Sequence, residues 1–283
     1  LFGPILCGIS EAAGDTNYWD AMIELTRDNS YHSPEREPGW FARFFPSAVF
    51  YAGIVYIILK SAGLARRGEY DAEAWIASSL YCVNLLERVG GRFVIENLDV
   101  VRSSASPCVF IGNHMSVLET FILPCLIRPY RNVTFVIKES LIAYPAFKHV
   151  MASREPIVVG RMDPRQDLRT VLTEGEDRLK RGTSVIVFPQ TTRSLEFDSK
   201  KFNSLGVKLA RRTGVPVVPV ALKTDAWGVG AWFKDVGSIR PRKTARFYFG
   251  EPLSVAGSGR EVHQVVVDLI SGKLNDWKSL DPA

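Results

Sequence analysis

A histidine and a glutamate stand five positions apart in the stretch GNHMSVLETF, as His114 and Glu119, directly after the apolar run 107–111. If a helix begins near Met115, His114 sits at its mouth and Glu119 about one turn in, so the two side chains can meet. A carboxylate against one imidazole nitrogen sets the tautomer and leaves the other nitrogen to take a proton. Such a pair supports general-base activation of a hydroxyl. No G-x-S-x-G nucleophile elbow occurs in the chain, so the hydroxyl is expected to belong to a substrate. Taken alone, the same spacing also describes a helix-capping histidine beside a solvated glutamate.

Two further stretches carry groups suited to an anion. In VFPQTTRS, Val187 to Ser194, Pro189 stiffens a turn that presents the hydroxyls of Thr191, Thr192 and Ser194 beside Gln190 and Arg193. An arginine grips phosphate through two parallel hydrogen bonds. In FVIKESLIAYPAFKHV, followed by REPIVVGR, Lys138 comes directly off an expected strand and can join Arg161 and Arg193 as counter-charge. Taken alone, a surface arginine in a polar turn fits VFPQTTRS as well. The other histidines, His32, His149 and His263, have no cluster around them, so no metal site is expected.

These groups must be positioned by a scaffold, and the hydrophobic pattern says which. Residues 71–89 repeat apolar positions at three and four and read as a helix, which Gly90-Gly91 ends. Short β-rich runs follow at 92–98, 107–111, 132–137, 183–188, 215–222 and 245–250. Helical stretches near 115–127, 141–150, 165–180 and 202–213 separate four of them, and 261–277 closes the chain. That alternation predicts an α/β fold: a mostly parallel central sheet flanked by helices, with an apolar helical appendage at the N-terminus. Asn113 and His114 then fall at the carboxyl end of a strand, where ligand sites of such sheets collect. Residues 1–89 are expected to form the N-terminal segment with membrane-associating helices, and 90–283 the catalytic domain. The polar stretch 26–39, with two prolines, is expected to lack regular structure.

The appendage contains a continuous apolar run, Ala48 to Leu59, of twelve residues. As a helix it rises about 18 Å, short of the roughly 20 residues that a bilayer span needs. Flanking Arg43, Lys60, Arg66 and Arg67, with interleaved aromatics, suit the headgroup region of one leaflet. Phe50, Ile54 and Ile57 are the expected membrane-binding residues of a monotopic protein on a cytoplasmic face, the alternative being a buried core helix. Net charge is +5, with both signs mixed along the chain. Nucleic-acid proteins more often concentrate positive charge in a stripe, so no nucleic-acid partner is expected, whereas anionic substrates and lipid surfaces fit. The mean hydropathy of +0.03 is high for a freely soluble protein and low for a multi-span one. Cys7, Cys82, Cys108 and Cys125 are scattered without a C-x-x-C pair, and Cys82 and Cys108 lie in apolar segments. They read as buried thiols of a reducing compartment. Because the chain opens on Leu1, a preceding anchor or signal stays open.

Four segments in this order resemble the motif blocks of the glycerolipid acyltransferases, the lysophosphatidic-acid acyltransferase superfamily. The first block, N-H-x-x-x-x-D in that family, is Asn113, His114 and Glu119 here. The second resembles Lys138-Glu139-Ser140-Leu141 with Pro145 and Phe147, ending at Arg161. The third, F-P-E-G-T-R-S, is Phe188-Pro189-Gln190-Thr191-Thr192-Arg193-Ser194. The fourth, V-P-V-x-P-V, is Val215-Pro216-Val217-Val218-Pro219-Val220. The resemblance implies that His114, held by Glu119, deprotonates a lipid hydroxyl for attack on acyl-CoA or an acyl carrier protein. It also implies that backbone amides near the first block receive the oxyanion, and that no cofactor is needed beyond the acyl donor. Asn113, Gln190, Thr191, Thr192, Arg193 and Ser194, with Lys138 and Arg161, would bind substrate. Glu119, Gln190 and Thr191 depart from the aspartate, glutamate and glycine of the family's pattern. A lipid-binding protein of low activity and a thioester or ester hydrolase are the other functions these residues permit.

Overall fold

The central strands VFIG, SVIV and VVPVALK are mostly apolar and buried at every position, as strands covered on both faces must be. The computed structural model describes residues 28–104, 107–142, 145–190, 192–230 and 235–280. Its strands are β1 (Ser30–His32), β2 (Arg92–Glu96), β3 (Val109–Gly112), β4 (Val133–Lys138), β5 (Ile157–Val159), β6 (Ser184–Val187), β7 (Val217–Lys223) and β8 (Thr244–Phe249). They form one sheet in the order β1-β2-β8-β7-β3-β6-β4-β5. The five strands from β7 to β5 run parallel, β8 pairs antiparallel with β7, and β1 antiparallel with β2. The expected mostly parallel sheet is present, with reversed strands at one end.

Helices α1 (Trp40–Phe44), α2 (Pro46–Arg66), α3 (Ala72–Arg88), α4 (Leu98–Ser103), α5 (Leu118–Ile127), α6 (Pro145–Ala152), α7 (Pro164–Lys180), α8 (Leu205–Thr213) and α9 (Arg260–Leu280) flank the sheet. The period-two alternation of β3 divides the core: Phe110 joins the cluster under α2, α3 and α5, while Val109 and Ile111 join the one under α7, α8 and α9. Helices α2 and α3 therefore share a core with the sheet. Aspartates cap two helices: Asp71 accepts from the amide of Ala74 at 2.8 Å, and Asp163 from that of Arg165 at 2.8 Å.

Three differences from expectation have physical causes. The stretch read as irregular contains β1, fixed to α3 because the hydroxyls of Tyr31 and Ser33 both donate to buried Glu87. Strand β5 was not marked by the pattern; it is only three residues long. Helix α2 extends well past its apolar run, to 21 residues, and is long and apolar enough to cross a membrane by length and composition. A third of its most apolar window is nevertheless buried. Phe50, Ile54 and Ile57, expected to face lipid, point into the core at 0, 5 and 7% exposure, because they share one helix face with Gly53 that packs against α3. Ala48, Ala52, Val55 and Leu59 form the exposed stripe on the opposite face.

Candidate active site

The chain leaves β3 toward β4 on one side, while β7, on the other side, is reached from β6. This arrangement opens a crevice at the carboxyl ends of β3 and β6, and both motif loops emerge there. Gly112 ends β3 where a Cβ would meet the carbonyl of Val220 at 3.2 Å and the Phe188 ring at 3.5 Å. The loops are tied by hydrogen bonds: the His114 amide donates to Gln190 Oε1 at 2.5 Å, and the Ser194 amide to the His114 carbonyl at 3.0 Å.

Helix α5 begins at Leu118, later than the pattern suggested, and this places Glu119 in its first turn. The Glu119 carboxylate is fully buried. Its Oε1 accepts from the amides of Met115 at 2.8 Å and Ser116 at 2.9 Å, and from Thr224 Oγ1 at 2.5 Å. These donors offset the cost of removing a carboxylate from water. His114 Nδ1 lies 3.3 Å from Glu119 Oε2, close but outside hydrogen-bond angles. The imidazole stacks on Phe188 with centroids 4.5 Å apart and planes 8° from parallel, so the ring is held from two directions.

Two of the expected substrate-binding residues, Asn113 and Gln190, also hold the loops together. Asn113 is buried and pairs with β7 like a strand edge, donating from Nδ2 to the Leu222 carbonyl at 2.7 Å and accepting from the Leu222 amide at 2.9 Å. Gln190 is buried and spends its carbonyl oxygen on His114. The amides of His114, Met115, Ser116 and Leu118 all have partners within the protein, so the first block does not offer them to an oxyanion. The Ser116 hydroxyl donates to Thr224 Oγ1 at 3.0 Å. Both hydroxyls thus serve the Glu119 carboxylate or each other.

Of the three expected cations, Arg193 borders a hollow and Arg161 lies near it. Thr192, Arg193 and Ser194 border a polar hollow of about 180 Å³ together with Gln190 and Lys201, and the acids Glu196 and Asp198 also line it. Arg193 donates through Nη2 to Asp235 Oδ1. Arg161 holds φ at 60°, a left-handed conformation uncommon for a side chain of its size. Asp167 pins this turn, accepting from the amides of Gly160 and Arg161 at 3.0 Å each. Partial desolvation and the neighbouring Arg193 guanidinium hold Arg161 below the usual arginine range. Lys138 is exposed at the end of β4, in register with Val159 of β5. Thr191 lies outside the described residues. Thr224, Asp167 and Asp235 escaped the sequence pattern; Thr224 is 105 residues from Glu119 and nothing local marks it.

A histidine against a buried glutamate and an arginine loop thus stand at one crevice of an α/β sheet, with the adjacent hydroxyls committed to structure. Residues 92–223 match the family model described as Acyltransferase. A 1-acyl-sn-glycerol-3-phosphate acyltransferase of Pseudomonas aeruginosa is 27% identical over 195 residues, 69% of this chain and 73% of that protein. The chloroplastic 1-acyl-sn-glycerol-3-phosphate acyltransferase BAT2 of Brassica napus is 31% identical over 170 residues, 60% of this chain but 46% of its own length. The crystal structure of the 1-acyl-sn-glycerophosphate acyltransferase of Thermotoga maritima superposes with a TM-score of 0.63 at 20% identity, covering 83% of this chain and 96% of that one. Over its central region the chain is therefore similar to the Acyltransferase family and to 1-acyl-sn-glycerol-3-phosphate acyltransferases. It is an acyltransferase that passes an acyl group to a lipid hydroxyl.

Proposed function

We propose that the acceptor is a phosphate-bearing lysolipid of the 1-acylglycerol 3-phosphate type and that His114 is the general base. With Nδ1 against Glu119, Nε2 takes the proton of the acceptor hydroxyl as its oxygen attacks the thioester carbonyl of acyl-CoA or an acyl carrier protein. The tetrahedral intermediate collapses with cleavage of the C–S bond, and the imidazolium returns the proton to the departing thiolate. The oxyanion falls to groups other than the engaged amides of the first block. Arg193 and Arg161, with Lys138 and the hydroxyls of Thr191, Thr192 and Ser194, hold the acceptor phosphate. The contact of His114 with the buried Glu119 carboxylate at 3.3 Å carries this proposal.

The molecule sits on one leaflet of a membrane, at its cytoplasmic face, with residues 1–89 supplying the attachment and 90–283 the chemistry. Trp40, Phe44, Phe45, Val55 and Leu59 are all more than half exposed, and Arg43 and Lys60 lie among them. The inward face of α2 is committed to the core, which favours a shallow seat over a span.

The test is purified protein in liposomes with palmitoyl-CoA and a panel of lipid hydroxyls, with His114→Ala as blank and products read by mass spectrometry. Diacylated product from 1-acylglycerol 3-phosphate is the expected result. CoA release that needs no acceptor, or preference for a phosphate-free alcohol, overturns the proposal.

A further inference from the structure

We infer that Asp235 competes with an anionic acceptor for Arg193 and thereby sets acceptor affinity, and that the apolar helix α2 holds Asp235 in place; this rests on Arg193 as the phosphate-binding group. The Arg193 guanidinium, 24% exposed, donates to a carboxylate from the connection between β7 and β8. A phosphate oxygen needs the same N–H. Carboxylate and phosphate are alternative partners of one fork, so the acceptor must displace Asp235 to make the paired contact that arginine offers.

Asp235 is located by bonds that lead away from the site. Its carbonyl accepts from Trp227 Nε1 at 3.2 Å. Two residues on, the Gly237 carbonyl accepts from Tyr51 Oη at 2.6 Å, and the Ile239 amide donates to Ser47 Oγ at 3.0 Å. Both side chains belong to α2. Trp227 is buried between the two halves of this seat, edge-on to Phe50 at 4.9 Å and stacked on Phe121 of α5 at 5.7 Å. The helix that carries the exposed apolar stripe thus also fixes the carboxylate that opposes phosphate binding. Arg161 lies near Arg193, and Glu196 and Asp198 line the same hollow, but the carboxylate bonded to Arg193 is that of Asp235. A phosphate dianion replaces that single charge with a larger one.

Asp235→Asn removes the competing charge at nearly constant shape. It is expected to lower the KM for 1-acylglycerol 3-phosphate, and the inhibition constant of inorganic phosphate, about two- to fivefold, the range of a partly exposed ion pair. Turnover, the KM for palmitoyl-CoA and use of monoacylglycerol should stay within about twofold. Tyr51→Phe keeps the ring against Trp227 but loses the bond to Gly237, and should shift the acceptor KM in the same direction by less. Asp235→Ser serves as a second charge-removing variant if the asparagine form does not fold by circular dichroism. An acceptor KM that is unchanged or raised in a folded charge-removed variant, while Arg193→Ala still weakens the phosphate-bearing acceptor selectively, overturns the competition. An unchanged KM in Tyr51→Phe alone overturns the role of α2. Equal weakening of phosphate-bearing and phosphate-free acceptors by Arg193→Ala marks a different failure, that of Arg193 as the phosphate group.

Discussion

The Glu119 carboxylate lies against the His114 ring and also closes the turn that carries it, accepting from the amides of Met115 and Ser116. Its two functions separate by substitution. Glu119→Gln keeps a carbonyl oxygen for the amides but loses the charge beside Nδ1, so turnover should fall strongly in a folded protein. Glu119→Asp restores the residue of the family's pattern but withdraws the carboxylate by one methylene from a site built around glutamate. We expect it to lose activity also, with Thr224→Val falling in the same direction as the 2.5 Å bond to Glu119 disappears. His114→Ala should cost about 10²–10⁴ in turnover, the range of a positioned acid–base group. Single-turnover rates with saturating palmitoyl-CoA check all four, and near-normal turnover in His114→Ala removes it as the base. The phosphate group gives an independent readout. Arg193→Ala should weaken the phosphate-bearing acceptor more than the acyl donor, and Arg193→Lys should restore only part, since an ammonium cannot make the paired contact.

Among the elements, α2 has two unlike faces, and substitutions on each should give opposite results. Exchanging Phe44, Val55 and Leu59 for serine removes exposed apolar surface only. The variant should stay folded, leave liposomes in a flotation assay, and lose activity on long-chain but not on soluble short-chain substrates. Exchanging Phe50, Ile54 and Ile57 instead empties the core. Large-to-small changes there cost about 2–5 kcal/mol each, against a typical total stability of about 5–15 kcal/mol, so circular dichroism should report an unfolded chain. A folded variant of the first kind that still floats with vesicles rules out the α2 stripe as the anchor.

For the molecule as a whole, the reversed strand at the β7–β8 junction is stitched by a charge cluster. Asp225 bonds Lys223 at 3.0 Å and Lys243 at 3.1 Å, and the Lys223 side chain is 8% exposed. Burial alone would raise the Asp225 carboxyl, but the bonds and charges of the two lysines outweigh it and hold the group below the usual aspartate range. A carboxylate whose folded pKa is depressed contributes stability above its unfolded value, about 3.9. That contribution is lost as pH falls through the folded value. Asp225→Asn should therefore destabilise the chain at neutral pH by about 1–3 kcal/mol, the range of hydrogen bonds to a charged group. The gap between the variant and the parent should close as pH drops below about 4. Thermal melts across pH 3–7 measure this, and a gap independent of pH refutes the role of the Asp225 charge.

Local spacing was enough to determine much of this protein. The alternation of apolar runs with helical repeats specified an α/β sheet, since strand and helix periods are written in neighbouring residues. His114 and Glu119 were legible as a pair because one helical turn spans their separation, and the loop 188–194 because a strand and a proline define it. The tertiary structure decided what depends on distant segments. It brought Thr224 to Glu119 across 105 residues and Asp235 to Arg193 across 42. It also gave Asn113 and Gln190 the part of struts between β3, β6 and β7. The inward face of α2 followed the same logic. A helix apolar on most sides does not encode which side meets protein, and only the packing of Phe50 against Trp227 and Gly53 against Leu85 chose it.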